Sequence, residues 1–500
     1  MGFSGGLSDD VTRIIMGFIR EVLSPFISSA IRRLAAFFKN PLKFLKGNSD
    51  KDKEEASDYD AKNPPPNAKI LSTTRHGVFF GTWRDKYVIK PEETDGHILV
   101  VGGTGTGKSS CIAIPTLRSW KGRIFAIDIK GELYKNTVAK RKNIKVFEPT
   151  NKNGRYVYDP YFFINDSTNS AQEAFAIARA IMPLSPDVRE PFWIESAYNL
   201  LAGAILHFHH EGQTFIETLR KMLRLNPEAL VKVVSQSSNP KAELCAASLV
   251  DIDNKVLTGI AAEIYRVITQ LVTDDDIVRG FTCTEGKEII YPADLQDKNG
   301  ADVYIKIPPY LLEQWKNLLT LMVNQFIRFF ERREESLDNR PILFLLDEFP
   351  TLGKIPAVNT ALATLRSKKI TICIIIQSLA QLDMIYGHDA RKVIADNCDF
   401  KAILSATDAD TQEYFSKLIG TYEKVRRSHS QSYDDYLGAP SGRGEQTSRD
   451  EKCVIIKPEE FAALQDELIL LYRFPKNFCR VKKQPYYLNS PQDVTFDERF

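Results

Sequence analysis

The stretch VVGGTGTGKSSCIAIPTLRSW at residues 100–120 joins an apolar run to a glycine-rich loop. Residues 102–109 fit the pattern G-x-x-x-x-G-K-[ST], in which the glycines allow backbone N–H groups to point toward a phosphate. Lys108 adds a positive charge, and the Ser109 hydroxyl can ligate Mg²⁺. The apolar run at 97–101 predicts the strand that must precede such a loop. The predicted nucleotide-binding residues are Gly102, Gly103, Thr104, Gly105, Thr106, Gly107, Lys108, Ser109 and Ser110.

The residues that follow the loop predict the start of a helix. Residues 109–114 have a helix-compatible sequence, as the phosphate-binding motif requires. Pro115 comes next, and we expect it to break this helix because proline has no N–H to donate.

The composition is that of a globular protein with a substantial core. The chain has 500 residues, of which 43% are hydrophobic and 26% charged, enough for two or three domains. Its formal net charge is only +2, so any contact with DNA must be local. The seven cysteines are scattered and include no C-x-x-C pair, which predicts a reducing compartment with neither disulfides nor zinc.

The sequence predicts neither a membrane-spanning helix nor a secretory signal. The longest uncharged runs, such as 196–210 and 370–382, are shorter than the 18 or so apolar residues that a span needs. Asp9 and Asp10 stand where a signal peptide would carry basic residues.

Residues 1–46 have the pattern of two amphipathic helices with a basic character. Seven basic residues and one acidic residue lie between 11 and 46. Such a segment, from about residue 8 to 46, can lie peripherally on an anionic membrane surface. It can equally pack as an arm on its own ATPase domain or on a partner protein. Residues 47–67 are highly charged and end in three prolines, which indicates a linker.

The remainder of the chain predicts an α/β fold interrupted by a helical segment. Alternating strands and helices in 68–160 and 293–500 indicate one domain with a mainly parallel sheet and helices on both faces. Residues 161–292 read as an inserted all-α domain. This insertion has 11 basic and 17 acidic residues, which suits either a basic protein partner or simple solvation. The polar residues 424–452 predict a mobile loop.

The predicted secondary structure gives the positions of these elements. Strands are predicted at 122–128, 143–149, 302–308, 342–347, 370–377, 400–405 and 468–472, and helices at 171–182, 191–211, 214–225, 227–236, 241–250, 257–271, 311–335, 356–368 and 408–419.

A carboxylate pair follows the apolar run at 342–346. We expect Asp347 to hold a water molecule of the Mg²⁺ shell and Glu348 to polarise the water that attacks the γ-phosphate. Gln377 ends the next apolar strand, where its side chain either senses the γ-phosphate, the interpretation that we favour, or is a buried structural amide. Arg366 lies between these strands, where it either reaches the nucleotide of a neighbouring subunit in a ring or is an ordinary surface arginine.

The chain resembles the type IV secretion coupling proteins of the TraG/TraD kind, which are relatives of the FtsK/HerA ring translocases. Three motifs carry the resemblance in the family's order: I-P-T-L after the phosphate loop, D-I-K-G-E at 128–132, and D-E-F-x-x-L-G at 347–353. The likeness covers most of 68–490 apart from the helical insertion. Family members usually have two membrane-spanning helices at the N-terminus, whereas this chain has only the basic amphipathic pair.

The resemblance implies a hexameric RecA-like ATPase that uses ATP and Mg²⁺. It implies that this ATPase recruits DNA with its relaxase, or protein effectors, and drives them into a secretion channel at the cytoplasmic face of the bacterial inner membrane. It also assigns Lys108 and Ser109 to the Walker A motif, and Asp347 and Glu348 to the Walker B motif. Gln377 takes the sensor position, and Arg366 takes the trans-arginine position. Two alternatives remain: a soluble FtsK/HerA-type DNA translocase, and a substrate receptor in which nucleotide acts only as a switch.

The charge outside residues 1–66 and the helical insertion is modestly positive. These residues have an excess of seven basic over acidic residues, which six copies around a pore would concentrate into a weak electrostatic funnel. We expect the DNA partner to be single-stranded, and phosphate contacts would make its binding sensitive to salt.

Overall fold

The computed structural model describes residues 59–165, 169–183, 191–336, 338–430, 445–473 and 477–488. The chain divides into two compact units, one of Pro64–Gly420 with Ile456–Phe500 and the other of Met1–Asn63 with Thr421–Ile455. The predicted arm, residues 1–46, and most of the predicted linker lie outside the described residues. Each unit is described here by itself.

The strands of both units are numbered in chain order. They are β1 (Leu71–Ser72), β2 (Val78–Trp83), β3 (Lys86–Lys90), β4 (Ile98–Val101), β5 (Arg123–Ile127), β6 (Ile144–Phe147), β7 (Tyr156–Tyr158), β8 (Glu288–Ile290), β9 (Asp302–Ile305), β10 (Ile342–Leu346), β11 (Ile370–Ile376), β12 (Phe400–Ile403), β13 (Thr421–Ser430), β14 (Glu445–Val454), β15 (Glu467–Tyr472) and β16 (Phe478–Lys482).

The helices of the larger unit are numbered in the same way. They are α1 (Ile114–Ser119), α2 (Glu132–Thr137), α3 (Phe162–Asn165), α4 (Ser170–Ile181), α5 (Pro191–His210), α6 (Phe215–Arg224), α7 (Pro227–Ser235), α8 (Pro240–Ala246), α9 (Asn254–Thr273), α10 (Asp275–Gly280), α11 (Leu312–Glu331), α12 (Val358–Thr364), α13 (Leu379–Tyr386), α14 (His388–Asn397) and α15 (Ala409–Ile419).

Twelve strands of the larger unit form one sheet in the order β1-β3-β2-β16-β15-β12-β4-β11-β10-β5-β9-β6. The seven strands from β12 to β6 are parallel to one another. The other five extend the sheet beyond β12 with antiparallel pairing. The predicted α/β fold with a mainly parallel sheet is therefore confirmed.

The central strands are buried on both faces, which explains why they read as continuous apolar runs. Every residue of β4, β10 and β11 is buried. On one face, alternate residues such as Ile124 and Leu343 join the cluster that contains Leu117 of α1. On the other face, Phe125 packs against Phe326 of α11, with ring centroids 4.4 Å apart. Helices thus cover both faces, as in other parallel sheets.

The helical segment belongs to the same compact unit as the sheet. The helices predicted within 161–292 are present, with ends that differ from the predicted ones by a few residues. One element differs in kind, because β8 pairs in parallel with β7 as a small separate sheet. The division of 68–500 into a nucleotide-binding domain and an all-α domain stays a prediction.

Helix α9 is, within the described residues, the one helix long and apolar enough by length and composition to cross a membrane. One of its faces, which carries Leu257, Ile260, Ile264 and Ile268, is buried. The helix packs against α5, α6 and α7 of the same segment. An amphipathic helix buried in this way is typical of a protein core.

The smaller unit contains a β-hairpin where the sequence predicted a mobile loop. Strands β13 and β14 pair in antiparallel register from Thr421 opposite Val454 to Ser430 opposite Glu445. The loop prediction is therefore wrong for 424–430 and 445–452, whereas 431–444 lie outside the described residues. Polar and charged residues dominate both strands, so the alternation of apolar and polar residues that identifies a strand in the sequence is missing.

A buried ion pair fastens α1 to the end of the sheet where the parallel strands begin. The guanidinium of Arg141 contacts the carboxylate of Asp302, and both side chains are at least 95% buried. Arg141 also donates to the carbonyl oxygens of Leu117 and Gly122, 3.2 Å and 2.7 Å away. The second oxygen of Asp302 accepts from the N–H of Ile124 at 3.0 Å. The charges are therefore paired and fully hydrogen-bonded, as buried charges must be.

Replacing Arg141 by alanine is expected to destabilise the larger unit by about 3–5 kcal/mol, because it leaves the Asp302 carboxylate buried without a cation. Urea denaturation followed by tryptophan fluorescence measures this change. Arg266→Ala provides the control, since its ion pair with Glu263 is exposed and contributes little. Equal losses in the two variants would contradict the assignment.

Candidate nucleotide site

The phosphate-binding loop lies between β4 and a helix that starts with a π-helical turn, Lys108–Ala113. Gly107 precedes this turn with φ +98°, and a Cβ there would come within 2.8 Å of the Cys111 sulfur, so glycine is required on both counts. The ammonium of Lys108 donates to the carbonyl oxygens of Gly102 and Gly103 at 2.6 Å and 2.9 Å. The loop thus folds around its own lysine side chain.

Pro115 does not break the helix as predicted, because the π-helical turn changes the partners of the backbone groups. In this turn the N–H of Ile114 donates to the carbonyl of Ser109, five residues earlier. The same pattern would pair residue 115 with Ser110, but proline has no N–H. The Ser110 carbonyl instead accepts from the N–H of Tyr486 at 2.9 Å. Pro115 therefore allows the C-terminal segment to dock beside the phosphate loop.

The carboxylate pair lies just beyond β10, because this strand ends at Leu346, one residue before the predicted end at 347. Asp347 is 2% exposed, and Glu348 is 9% exposed. Burial, and secondarily the charge of Glu348, raises the pKa of Asp347 from its ordinary value of 3.8 to about 6. Glu348 has φ +50° and ψ +41°, a left-handed conformation that is unusual for a residue with a side chain. Such strain is typical of functional positions.

Two donors from the neighbouring strands hold the Glu348 carboxylate. Gln377, directly after β11, donates from Nε2 to one oxygen at 3.2 Å. Lys130, shortly after β5, contacts the other oxygen with its ammonium at 3.2 Å. Gln377 thus lies beside the acidic pair as predicted. The role of Lys130 was missed, although the motif D-I-K-G-E placed it at the end of a buried strand.

Lys108 experiences the opposing effects of burial and charge. Burial lowers its pKa, and the nearby carboxylates of Glu348 and Asp347 oppose this shift without cancelling it. Lys130 adds a smaller repulsion. A desolvated ammonium and a desolvated carboxylate therefore stand at the same edge of the sheet, where anionic phosphates and a divalent cation would each find a complementary charge.

The donor set is compatible with Mg²⁺ bound mainly through phosphate oxygens. Within the described residues, no group of three or more His, Cys, Asp or Glu could hold a metal by itself. Asp347 and the half-buried Ser109 supply hard oxygen donors. Mg²⁺ typically takes only one or two protein ligands beside substrate phosphates and water. The residues present therefore fit this ion.

Arg366 lies at the opposite edge of the sheet. It opens a 3₁₀ turn, Arg366–Lys368, before β11, whereas Gln377 follows the same strand, a separation of roughly 25 Å along an extended chain. Its guanidinium pairs with Asp399 at 3.2 Å. The structure therefore does not bring Arg366 to the phosphate loop of its own chain, and the prediction that it serves a neighbouring subunit stays open.

Known proteins similar to this chain include Protein VirD4 of Agrobacterium fabrum and the conjugal transfer protein TraG of Escherichia coli. VirD4 is 28% identical over 418 residues, which cover 81% of this chain and 60% of that protein. TraG is 25% identical over 408 residues, which cover 73% of this chain and 60% of that protein. The chain thus spans about 60% of the length of these curated relatives.

Solved structures of the plasmid coupling protein TrwB share the fold. TrwBdeltaN70 in an unbound form gives a TM-score of 0.65 at 18% identity, covering 83% of this chain and 90% of that one. TrwB in complex with ADP and Mg²⁺ gives a TM-score of 0.62 at 17% identity, covering 85% of this chain and 93% of that one. The TrwB-like fold agrees with the expected RecA-like architecture.

Residues 47–498 match the family described as type IV secretory system conjugative DNA transfer. This match includes the phosphate loop, the carboxylate pair and the helical segment. The chain therefore belongs to the type IV secretory system conjugative DNA transfer family.

Proposed function

We propose that this chain is an ATP-hydrolysing coupling protein that recruits DNA, with its relaxase or another secreted protein, and drives it into a type IV secretion channel. The observation that carries the proposal is the meeting of a phosphate loop and the Asp347–Glu348 pair at one edge of a parallel sheet, in a chain of the conjugative DNA transfer family. TrwB, a structural neighbour, forms complexes with an ATP analogue and with ADP and Mg²⁺.

Different side chains have different roles in the proposed ATP hydrolysis. Lys108 exchanges its loop carbonyls for the β- and γ-phosphates, a better partner for a buried ammonium. Glu348 accepts a proton from the attacking water, while Gln377 keeps the carboxylate in place and senses the γ-phosphate. Ser109 and, through water, Asp347 would hold Mg²⁺, which neutralises charge on the phosphate oxygens when bound.

The partners follow from the family and the charge distribution. A ring of six copies would place each nucleotide between subunits and would line a pore with the basic excess outside the helical segment. The acidic helical segment suits a basic protein partner. Residues 8–46 would hold the chain at the cytoplasmic face of the inner membrane or bind a channel component.

Lys108→Ala is expected to abolish ATP binding and hydrolysis, and Glu348→Gln to lower kcat on the order of 10²-fold or more with ATP binding retained. Phosphate release, measured with and without single-stranded DNA, and binding of a fluorescent ATP analogue test this together. Conjugative DNA transfer should fall in both variants.

Absence of Mg²⁺-dependent hydrolysis in the wild type would contradict the motor function. Normal transfer with Glu348→Gln would instead favour a receptor in which nucleotide is only a switch. Tracking along duplex DNA without relaxase or channel would favour the soluble translocase.

Arg366 can be tested by mixing subunits. If Arg366 completes the nucleotide site of a neighbouring subunit, the Lys108→Ala and Arg366→Ala proteins should each be inactive alone. Co-assembly of the two should restore measurable hydrolysis, because some subunit interfaces then combine an intact Lys108 with an intact Arg366. The measurement is phosphate release after mixing. Recovery would fail if Arg366 were an ordinary surface arginine, and Arg366→Ala alone would then be active.

The buried carboxylate of Asp347 is expected to lower the free energy of unfolding of the larger unit. Because its pKa is raised from 3.8 to about 6, the folded protein binds more protons than the unfolded chain between these pH values. The resulting decrease in the free energy of unfolding is absent below pH 3.8, grows as pH rises through this window and is complete above about pH 6.

In the absence of nucleotide and Mg²⁺, Asp347→Asn should therefore be more stable than wild type at pH 7.5, by on the order of 3 kcal/mol, with the difference shrinking toward pH 4. Urea denaturation at the two pH values measures it. Exposed Asp338 provides the control as Asp338→Asn. A difference that grew on acidification would refute the assignment.

A further inference from the structure

The Glu348 carboxylate is held from two sides by side chains of different elements. Lys130 follows β5, and Gln377 follows β11, the two strands that flank β10 in the sheet. Each donor contacts a different carboxylate oxygen, and both distances are 3.2 Å. A glutamate has three side-chain torsions, so one donor alone leaves its carboxylate free to rotate. Two donors from opposite sides fix the plane of the carboxylate.

The turn that carries Lys130 is itself built to be rigid. Buried Asp128 accepts from the N–H of Tyr134 at 2.8 Å, which ties the end of β5 to α2. Gly131 has φ +71°, and a Cβ there would approach Lys306 Cε to 2.9 Å. The backbone on both sides of Lys130 is therefore constrained, which places the start of its side chain at the end of β5, the strand next to β10.

The contact with Glu348 favours the charged form of Lys130. Burial lowers the pKa of Lys130, but the hydrogen bond and the charge of Glu348 outweigh this effect, so that the pKa is raised overall. The Lys130 side chain remains 46% exposed, whereas that of Glu348 is only 12% exposed. Lys130 thus reaches from the mouth of the site toward the carboxylate, while Lys108 is the lysine seated in the phosphate loop.

We propose that Lys130 is a positioning residue that orients the Glu348 carboxylate toward the attacking water. The inference rests on the proposed ATP hydrolysis. Lys130 and Gln377 together hold the strained Glu348 so that the remaining lone pairs of the carboxylate face the site. Because Lys130 acts through Glu348, it contributes to the chemical step and leaves nucleotide binding to the phosphate loop.

The test compares Lys130→Met and Lys130→Arg with wild type in steady-state ATP hydrolysis. Methionine keeps the length of the side chain but removes its charge, so kcat should fall on the order of 10- to 100-fold, while KM changes by less than about threefold. Arginine can still donate to the carboxylate, so Lys130→Arg should recover at least part of the lost kcat. In the Glu348→Gln background, Lys130→Met should leave the affinity for a fluorescent ATP analogue unchanged.

Lys135→Met is the matched control. Lys135 is an exposed lysine on α2, the helix that follows the Lys130 turn. It should keep wild-type kcat, which separates loss of the Glu348 contact from loss of a positive charge on the same segment of the chain.

Three results would overturn the proposal while leaving the proposed function intact. The first is an unchanged kcat in Lys130→Met, and the second is an increased kcat, which would mean that Lys130 restrains catalysis. The third is weaker nucleotide binding of Lys130→Met in the Glu348→Gln background, which would make Lys130 a phosphate ligand. Absence of hydrolysis in the wild type would overturn both proposals.

Discussion

The order of three parallel strands, β4-β11-β10, is the constraint on which the site depends. Parallel strands end at the same edge, so the phosphate loop after β4, Gln377 after β11 and the acidic pair after β10 lie side by side although they are far apart in the sequence. Because β11 lies between the other two strands, the Gln377 amide follows the strand between the phosphate loop and the carboxylate pair. Burial of all three strands by helices on both faces makes this edge rigid.

The site concentrates unfavourable interactions that the rest of the unit must offset. Asp347 is a desolvated carboxylate with a raised pKa, Lys108 is a desolvated ammonium, and Glu348 has a strained backbone. None of these features stabilises the fold by itself; a phosphate beside Lys108 or a cation beside Asp347 would offset the first two. The apolar core of the sheet supplies the stability that permits them.

Sequence reasoning found the features that depend on local patterns. Continuous apolar runs gave the central strands, helical periodicity gave most helices, and the spacing of Gly102 to Ser109 gave the phosphate loop. It missed features that depend on pairing between distant residues. The Lys130–Glu348 contact requires knowing that β5 and β10 are adjacent, and the docking of Tyr486 on Ser110 requires knowing that the turn before Pro115 is π-helical. The hairpin of β13 and β14 escaped because backbone pairing between polar strands leaves no periodic apolar signal.

Strand β11 connects the two edges of the sheet that the proposed ring would use. Gln377 follows the strand at the nucleotide edge, and the Arg366 turn precedes it at the other. The strand is fully buried, with β10 paired along one side and β4 along the other. Release of Arg366 toward a neighbouring subunit would break its contact with Asp399, but Asp399 would keep its second partner, Arg473, at 3.4 Å. Because the carboxylate stays paired, moving Arg366 would cost less than breaking an isolated buried ion pair, which is compatible with the proposed trans role.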